Sequence, residues 1–268
     1  MEQMESVTIR EKKETAVEHK TGFTIPQVEF RNILKLIEGG VNDEFVVHAS
    51  DDGLRLVSVS PDRVTAIIAY INRGCMSEYQ TTVNQTFGMS TKSFKGALVI
   101  PKNKDALMGI VQNEDVVTLM SADGFTKTVP VTDVTTMALP KIEYNGGGVV
   151  NVNELYAAVN FAADVGDNIM LTGDGNSLVV SAKRDEKTVV EAPVPLTTGK
   201  FNGEKTMVRN ETLKNVLAGL KGFEIMVRIK RGDGKSRDEN YPLKINFKKT
   251  VYKGEVKGYI LIAPLTEY

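Results

Sequence analysis

The chain has 268 residues, 41% of them apolar, which is enough for a sizeable core in one or two domains. Thirty-three basic residues stand against thirty-four acidic ones, so any contact with a polyanion has to come from where cations are placed and not from an overall excess. The single cysteine, Cys75, excludes an internal disulfide and a multi-cysteine zinc site, and His19 and His48 lack a metal-ligand spacing. Tryptophan is absent and aromatics are sparse, which argues against a binder of single strands that stacks bases on aromatic platforms. No run of about eighteen apolar residues occurs and the first residues are polar, so a cytosolic protein is expected, with neither a spanning helix nor a secretory signal.

Residues 1–21 carry Glu-Lys-Lys-Glu and no apolar periodicity, and read as a polar arm. A short strand is predicted at 23–25. Pro26 then starts a helix whose inner face is Phe30, Ile33, Leu34 and Ile37, and Gly39-Gly40 stops it. Three strands follow at 44–49, 54–59 and 64–71, the first two joined by the hairpin signal Asp51-Asp52-Gly53. After Phe87 the pattern returns. Thr91 caps a short helix with Phe94, Ala97 and Leu98 inward, Pro101 ends it, and strands are predicted at 106–111, 116–121 and 125–132.

Residues 134–148 come next. Pro140 and the triplet Gly146, Gly147 and Gly148 are expected to deny this stretch a regular helix or a central strand, making it a surface linker. Its apolar residues, Met137, Leu139, Ile142 and Tyr144, mark it as a strap packed on its own protein or as a docking ledge. Beyond it, Leu155, Ala158, Val159 and Ala162 define a third helix, followed by strands at 169–172, 177–182 and 188–195. Leu213, Val216, Leu217 and Leu220 define a fourth, followed by strands at 223–230, 242–247 and 259–263. The helix markers Phe30, Phe94, Leu155 and Leu213 recur about every 60 residues, the mark of one supersecondary unit used four times. The fold class read from this is α+β: two similar domains, residues 22–133 and 149–268, each with two helices packed on antiparallel sheets, making four βαβββ-like units.

With the apolar stripes inward, the outer helix faces carry Arg31 and Lys35, then Lys92 and Lys95, then Lys214 and Lys221, with Arg209 just before the fourth helix. The third helix offers Asn153, Glu154 and Asn160 instead. Any one exposed lysine is ordinary. Their recurrence in three of four units points to a surface that attracts phosphates without reading bases.

Several stretches resemble the DNA sliding clamps of the proliferating cell nuclear antigen (PCNA) type, over roughly residues 22–264. They are the helix-Asp-Gly-Leu-strand pattern at 30–59, Pro61-Asp62-Arg63-Val64, the run at 125–133 leading into the linker, Val165-Gly-Asp167, and the ending Gly258-Tyr-Ile-Leu-Ile-Ala-Pro264. The resemblance implies a ring, of two-domain subunits in threes, around duplex DNA that it contacts without sequence preference. The joining edges would be 125–133 of one subunit and 187–195 of the next, and Arg31, Lys35, Lys92, Lys95, Arg209, Lys214 and Lys221 would serve DNA. It further implies that the ring hydrolyses nothing, needs no cofactor and no metal, is opened by a clamp-loader ATPase, and tethers DNA polymerase, flap nuclease and ligase through short apolar peptide motifs. Their pocket would use Val59, Arg63, Val64, Met137, Leu139, Pro140, Pro242, Ile262, Ala263 and Pro264. The cation-free third helix leaves a homotrimer and a heterotrimer both open.

An enzyme is the first rival. Gly232-Asp-Gly-Lys235-Ser236 is the nearest approach to a phosphate loop, but Ile229 stands where the leading glycine belongs and no helix follows, so it reads as a hairpin loop. Asp51, Asp52, Asp174 and Asp233 fall in glycine turns that favour aspartate for local hydrogen bonding. The second rival is a processivity factor or scaffold of the same fold that binds partners without encircling DNA.

Overall fold

The computed structural model describes residues 20–40, 43–82, 84–94, 106–121, 124–133, 139, 142–184, 189–230 and 241–265. Four times over, a strand leads into a helix and three strands return. The first unit is β1 (Lys20–Pro26), α1 (Gln27–Gly39), β2 (Glu44–Ser50), β3 (Gly53–Val59) and β4 (Thr65–Asn72). A single turn of 3-10 helix at Arg73–Cys75 and the short β5 (Glu78–Thr81) follow it. The second is β6 (Gln85–Ser90), α2 (Thr91–Phe94), β7 (Leu107–Asn113), β8 (Val116–Ser121) and β9 (Thr126–Pro130). The third is β10 (Gly146–Val150), α3 (Val152–Ala163), β11 (Asn168–Asp174), β12 (Ser177–Lys183) and β13 (Val189–Lys200). The fourth is β14 (Lys205–Arg209), α4 (Asn210–Gly219), β15 (Glu224–Ile229), β16 (Leu243–Val251) and β17 (Gly254–Ile262).

Each element follows from its residues. In α1 the apolar positions repeat at helical spacing and bury Phe30, Ile33, Leu34, Leu36 and Ile37, with Phe30 set edge-on to Phe23 of β1 at 6.2 Å between ring centres. Asn151 caps α3 through its side-chain oxygen, which accepts from the backbone of Asn153 and Glu154. The strands alternate inward and outward residues, as in β2, where Phe45, Val47 and Ala49 are buried. Gly53 closes the β2–β3 hairpin at φ 130°, a conformation that favours glycine.

All sheet pairing is antiparallel. One sheet runs β5-β1-β7-β8-β9. The other runs β14-β11-β12-β13-β10-β15-β16-β17-β4-β3-β2-β6 and crosses between the halves where β17 pairs with β4, Ile260 opposite Ile67. The helices form one layer, α2 beside α1, α1 against α4 and α4 against α3. Lys249 of β16 reaches Glu29 of α1 at 2.7 Å, a further tie between the halves, with both side chains about three-quarters buried or more.

Three expectations need revision. The polar arm ends earlier than Thr21, because Lys20 and Thr21 already pair with Asn113 and Gln112 in β7. The glycine triplet does not exclude a central strand: Gly146, Gly147 and Gly148 lie in β10, between β13 and β15. Their neighbours crowd the strand, since a Cβ at Gly146 would stand 2.5 Å from the Glu204 carboxyl and one at Gly148 would stand 2.6 Å from Leu196, so any side chain here has to displace theirs. The leading strands β6, β10 and β14 were not anticipated, although they complete the βαβββ unit. Lys95, Ala97, Leu98, Met137 and Pro140, and the loop 231–240, lie outside the described residues.

Candidate nucleic-acid and partner interface

Both α1 and α4, which pack against one another, carry cations. Arg31 is half-buried and Lys35 exposed on α1, with Lys214 half-buried on α4. The two helices approach closely because each presents glycine to the other's backbone. A Cβ at Gly39 would stand 2.6 Å from the Asn215 carbonyl oxygen, and one at Gly219 would stand 2.7 Å from Leu36 Cα.

The remaining cations are engaged locally. Lys92 is exposed but pairs with Asp43 at 2.9 Å. Lys221 lies over the ring of Tyr156 at 4.4 Å, which links the end of α4 to α3. Arg209 ends β14 and is exposed, and its charge is the least of the influences that lower the Asp62 carboxyl. On α3, Asn153, Glu154 and Phe161 are exposed while Asn160 is half-buried, so the described face of this helix presents no cation.

Of the predicted partner residues, Val64, Pro242, Ile262, Ala263 and Pro264 come together at the end of the β16–β17–β4 ladder. Ala263 donates its N–H to the Val64 carbonyl at 2.7 Å, continuing the β17–β4 ladder past Ile262 and Thr65. Leu243 pairs with Ile262, so Pro242 follows on in the same row. Two residues further on, Leu265 N–H reaches the Met207 carbonyl at 2.9 Å and fixes the chain on both sides of Pro264. Ile262 is fully buried and serves the core, whereas Val64, Pro242, Ala263 and Pro264 are half-buried, as is Leu139 of the linker.

The loop before Val64 is tightly built. The Asp62 carboxylate accepts from Ser60 Oγ at 2.6 Å and from Val64 N–H at 3.1 Å, and chiefly the Ser60 bond holds its carboxyl below the usual carboxylate range. Arg63 sits at φ 59°, unusual for a residue with a side chain, and is exposed. Val59 lines an open cavity of about 270 Å³ with Val46, His48, Val57, Thr132 and Asp133. Burial, and then the Arg55 charge, keep the His48 imidazole below its ordinary value and therefore neutral at pH 7.

Sequence reasoning missed the Ser60–Asp62 turn, although an aspartate two residues ahead of the amide it binds is a readable signal. It also left the role of Tyr144 open. Lys244 lies over the rings of both Tyr144 and Tyr259, at 5.6 and 4.4 Å, and burial pushes the Tyr144 hydroxyl up to about 12. This end of the linker is a strap. Cys75 is buried, with its thiol pushed up to about 11, and among the described residues no group of three or more His, Cys, Asp or Glu is arranged to hold a metal ion.

Duplicated βαβββ units in two similar halves, with helices in one layer and antiparallel strands in two sheets, make the DNA clamp fold. The particular version, two units per half, is that of the PCNA-type sliding clamps. No protein-family model matches the chain. Among curated proteins, it is 22% identical over 163 residues to DNA polymerase sliding clamp 1 of Sulfurisphaera tokodaii, covering 59% of this chain and 64% of that one. It is 24% identical over 238 residues to the DNA polymerase sliding clamp of Thermococcus onnurineus, covering 84% and 90%. The chain thus spans less than two thirds of the first relative and most of the second. Among solved structures it superposes on A. fulgidus PCNA bound to the C-terminal region of FEN-1 with a TM-score of 0.80 at 16% identity, covering 92% of this chain and 99% of that one. For the PCNA2-PCNA3 complex of Sulfolobus tokodaii the TM-score is 0.73 at 19% identity, covering 91% and 98%. The fold is shared across these proteins.

Proposed function

We propose that the chain is a subunit of a DNA sliding clamp, a processivity factor that encircles duplex DNA and tethers replication and repair enzymes. The observation that carries this is the packing of the four described helices side by side in one layer, with Arg31 and Lys35 on α1 and Lys214 on α4, and with open strand edges along β9 and along the first part of β13. Encirclement holds by topology, so the cations need only attract phosphates weakly, which fits a helix layer that mixes lysine with glutamate and leaves α3 without a cation. The protein itself performs no chemistry and acts in the cytoplasm beside the chromosome.

The row of Val64, Ala263, Pro264 and Pro242, with Val59, Arg63 and the linker at Leu139, is the surface for short apolar peptide motifs of DNA polymerase, flap nuclease and ligase. A clamp-loader ATPase opens the ring. Retention on DNA of different topology tests the reading. After loading, the protein should stay on nicked circular plasmid through a moderate-salt wash and run off when the plasmid is cut once. Equal retention on circular and linear DNA would rule out encirclement, and a protein that holds neither is not a clamp.

A further inference from the structure

Lys249 turns to the helix side of the long sheet, where it meets Glu29 of α1. The opposite face carries two neighbouring rows that run across six strands. Register sets Val46, Val57, Ile68, Tyr259, Asn246 and Met226 side by side, one from each of β2, β3, β4, β17, β16 and β15. Two residues on along each strand, His48, Arg55, Tyr70, Lys257, Lys248 and Glu224 make the second row in the same order. The residues between the rows, such as Leu56, Ala69 and Ile225, turn into the core. At the β15 end the rows enclose a hollow of about 370 Å³ with Tyr70, Met226, Asn246, Gly258 and Tyr259 in its walls, a size at which binding pockets begin. The charges here are of two kinds. Lys248 pairs with Glu224 at 2.9 Å and Lys257 with Glu255 at 3.2 Å, which closes the rim of the hollow. Arg55 on one side of the apolar row, and Lys244 and Arg228 on the other, pair with no carboxylate among the described residues. Arg55 lies over the Tyr70 ring at 5.9 Å and Lys244 over the Tyr259 ring at 4.4 Å, while Arg228 keeps its Nε buried without a partner. Burial, and then the Arg228 charge, hold the Lys244 ammonium below its ordinary value. Half-buried cations without an anion are costly, so a carboxylate arriving here would be stabilised by both.

We propose that this trough receives an acidic segment of a partner protein, one that flanks the partner's apolar motif, with carboxylates on Arg55, Lys244 and Arg228 and an apolar side chain in the hollow between Tyr70 and Tyr259. The inference rests on the peptide surface of the clamp reading. Charge argues for this occupant, because three unpaired cations border an apolar row whose other charges are already matched in pairs. Continuity argues for it too. Val59 of the peptide surface shares one cavity with Val46 and Val57 of the row and with Arg55. On β17, Tyr259 stands four residues before Ala263, a distance of about 13 Å that four extended residues of a bound peptide cover. A partner docked at Ala263 and Val64 therefore reaches the hollow with the next few residues of its chain.

Fluorescence anisotropy of labelled synthetic peptides on the full chain tests this. The probes are an apolar motif peptide, the same peptide with Glu-Phe-Glu-Glu added at one end or the other, and both flanked forms with Lys in place of Glu. An acidic flank at one of the ends should tighten binding roughly tenfold, and the basic flanks should not. Arg55→Met and Lys244→Met should each cancel most of that gain, while the unflanked motif binds Arg55→Met as it binds the parent. No gain from either acidic flank overturns the proposal, and so does a gain that both variants keep. Nitration of Tyr70, which is 38% exposed, supplies a measurement on the unmodified protein, read by mass spectrometry. The acidic-flanked peptide should slow it and the unflanked motif should not. Equal nitration with and without the flank overturns the proposal, as does a Tyr70 that resists nitration in the free protein, since the chain itself or a second copy then covers the trough. An unflanked motif that fails to bind, beside an acidic-flanked peptide that still protects Tyr70, removes the peptide surface and leaves the trough. A motif that binds with no gain from its flank does the reverse.

Discussion

Gly39 of α1 meets the backbone of Asn215 in α4 so closely that a Cβ on the glycine would stand 2.6 Å from the Asn215 carbonyl oxygen. A real Cβ essentially never comes that close to a carbonyl oxygen, so a side chain here has to part the two helices. Glycine to alanine in an exposed helix usually adds up to about 1 kcal/mol of stability. Here the obstacle is backbone, which cannot swing away, and overpacking of this kind costs about 1–3 kcal/mol. Gly39→Ala should therefore lower stability by about 1–2 kcal/mol in urea titration. Gly219→Ala should do the same against Leu36, and the double variant should lose less than the sum, because the first methyl has already opened the seam.

The repeat was legible because its punctuation is local. Asp51-Asp52-Gly53 and Gly173-Asp174-Gly175-Asn176 close hairpins whatever the rest of the chain does, and a helical stripe such as Leu213, Val216 and Leu217 needs no partner to be recognised. Strand β10 was illegible for the opposite reason. Its sequence, Gly-Gly-Gly-Val-Val, is a breaker by propensity, and only the side chains of Glu204, Arg228 and Leu196, far away in sequence, make glycine the residue that fits. The row around Val64 and Ala263 was not legible in its construction. No spacing rule announces that Ala263 bonds Val64 or that Leu265 bonds Met207, since tertiary pairing alone creates both.

Tyr144 buries a hydroxyl that has no hydrogen-bond partner among the described residues, under Lys244 and beside Tyr259. A buried donor left unmade costs about 1–3 kcal/mol, whereas the ring itself packs. Tyr144→Phe should keep the strap and raise stability by about 1 kcal/mol, read as an upward shift in thermal midpoint. Tyr144→Ala should lower stability and loosen the linker, read as faster proteolysis between residues 134 and 146. A drop in midpoint for the phenylalanine variant would mean that the hydroxyl is satisfied.

Asp43 occupies Lys92, at 2.9 Å and with both side chains more than half exposed. An exposed pair of this kind adds little to folding, yet the Asp43 charge offsets the attraction that Lys92 offers to phosphate. Asp43→Asn should leave the thermal midpoint nearly unchanged and strengthen DNA retention at moderate salt. Lys92→Ala should weaken retention only slightly, and removing Arg31, Lys35 and Lys214 together should weaken it most. Each lost phosphate contact should flatten the salt dependence by about one unit of slope, measured by titrating salt against fluorescence anisotropy of labelled duplex.

Ala263 and Arg63 separate the proposed peptide surface from the core. Ile262 is fully buried, so changing it would unfold as well as unbind, but Ala263 is half-buried and Arg63 exposed. Ala263→Glu should abolish binding of an apolar motif peptide in calorimetry with circular dichroism unchanged. Arg63→Gly is the cleaner probe. It relieves the positive φ, a gain of about 1 kcal/mol, and offsets this by adding a similar freedom to the unfolded chain. Stability should stay within about 0.5 kcal/mol, so any loss of peptide affinity belongs to the guanidinium.

Asp62 organises the loop that presents Val64, and its ionisation should be visible there. Hydrogen bonds from Ser60 Oγ first, then from Val64 N–H, favour the carboxylate and depress its titration in the folded state. A carboxyl depressed on folding contributes order that is fully present above its unfolded value of about 3.9 and is lost as pH falls toward the folded value. The Val64 amide should therefore hold its NMR shift from neutral pH down to about 4 and move only below that, with peptide affinity declining over the same range. In Asp62→Asn the side-chain oxygen still accepts both bonds but carries no charge, so the Val64 shift should be flat with pH and the Ser60 bond weaker, leaving a more mobile loop throughout. A Val64 transition that persists in Asp62→Asn would assign the titration to another group and remove Asp62 from the control of this surface.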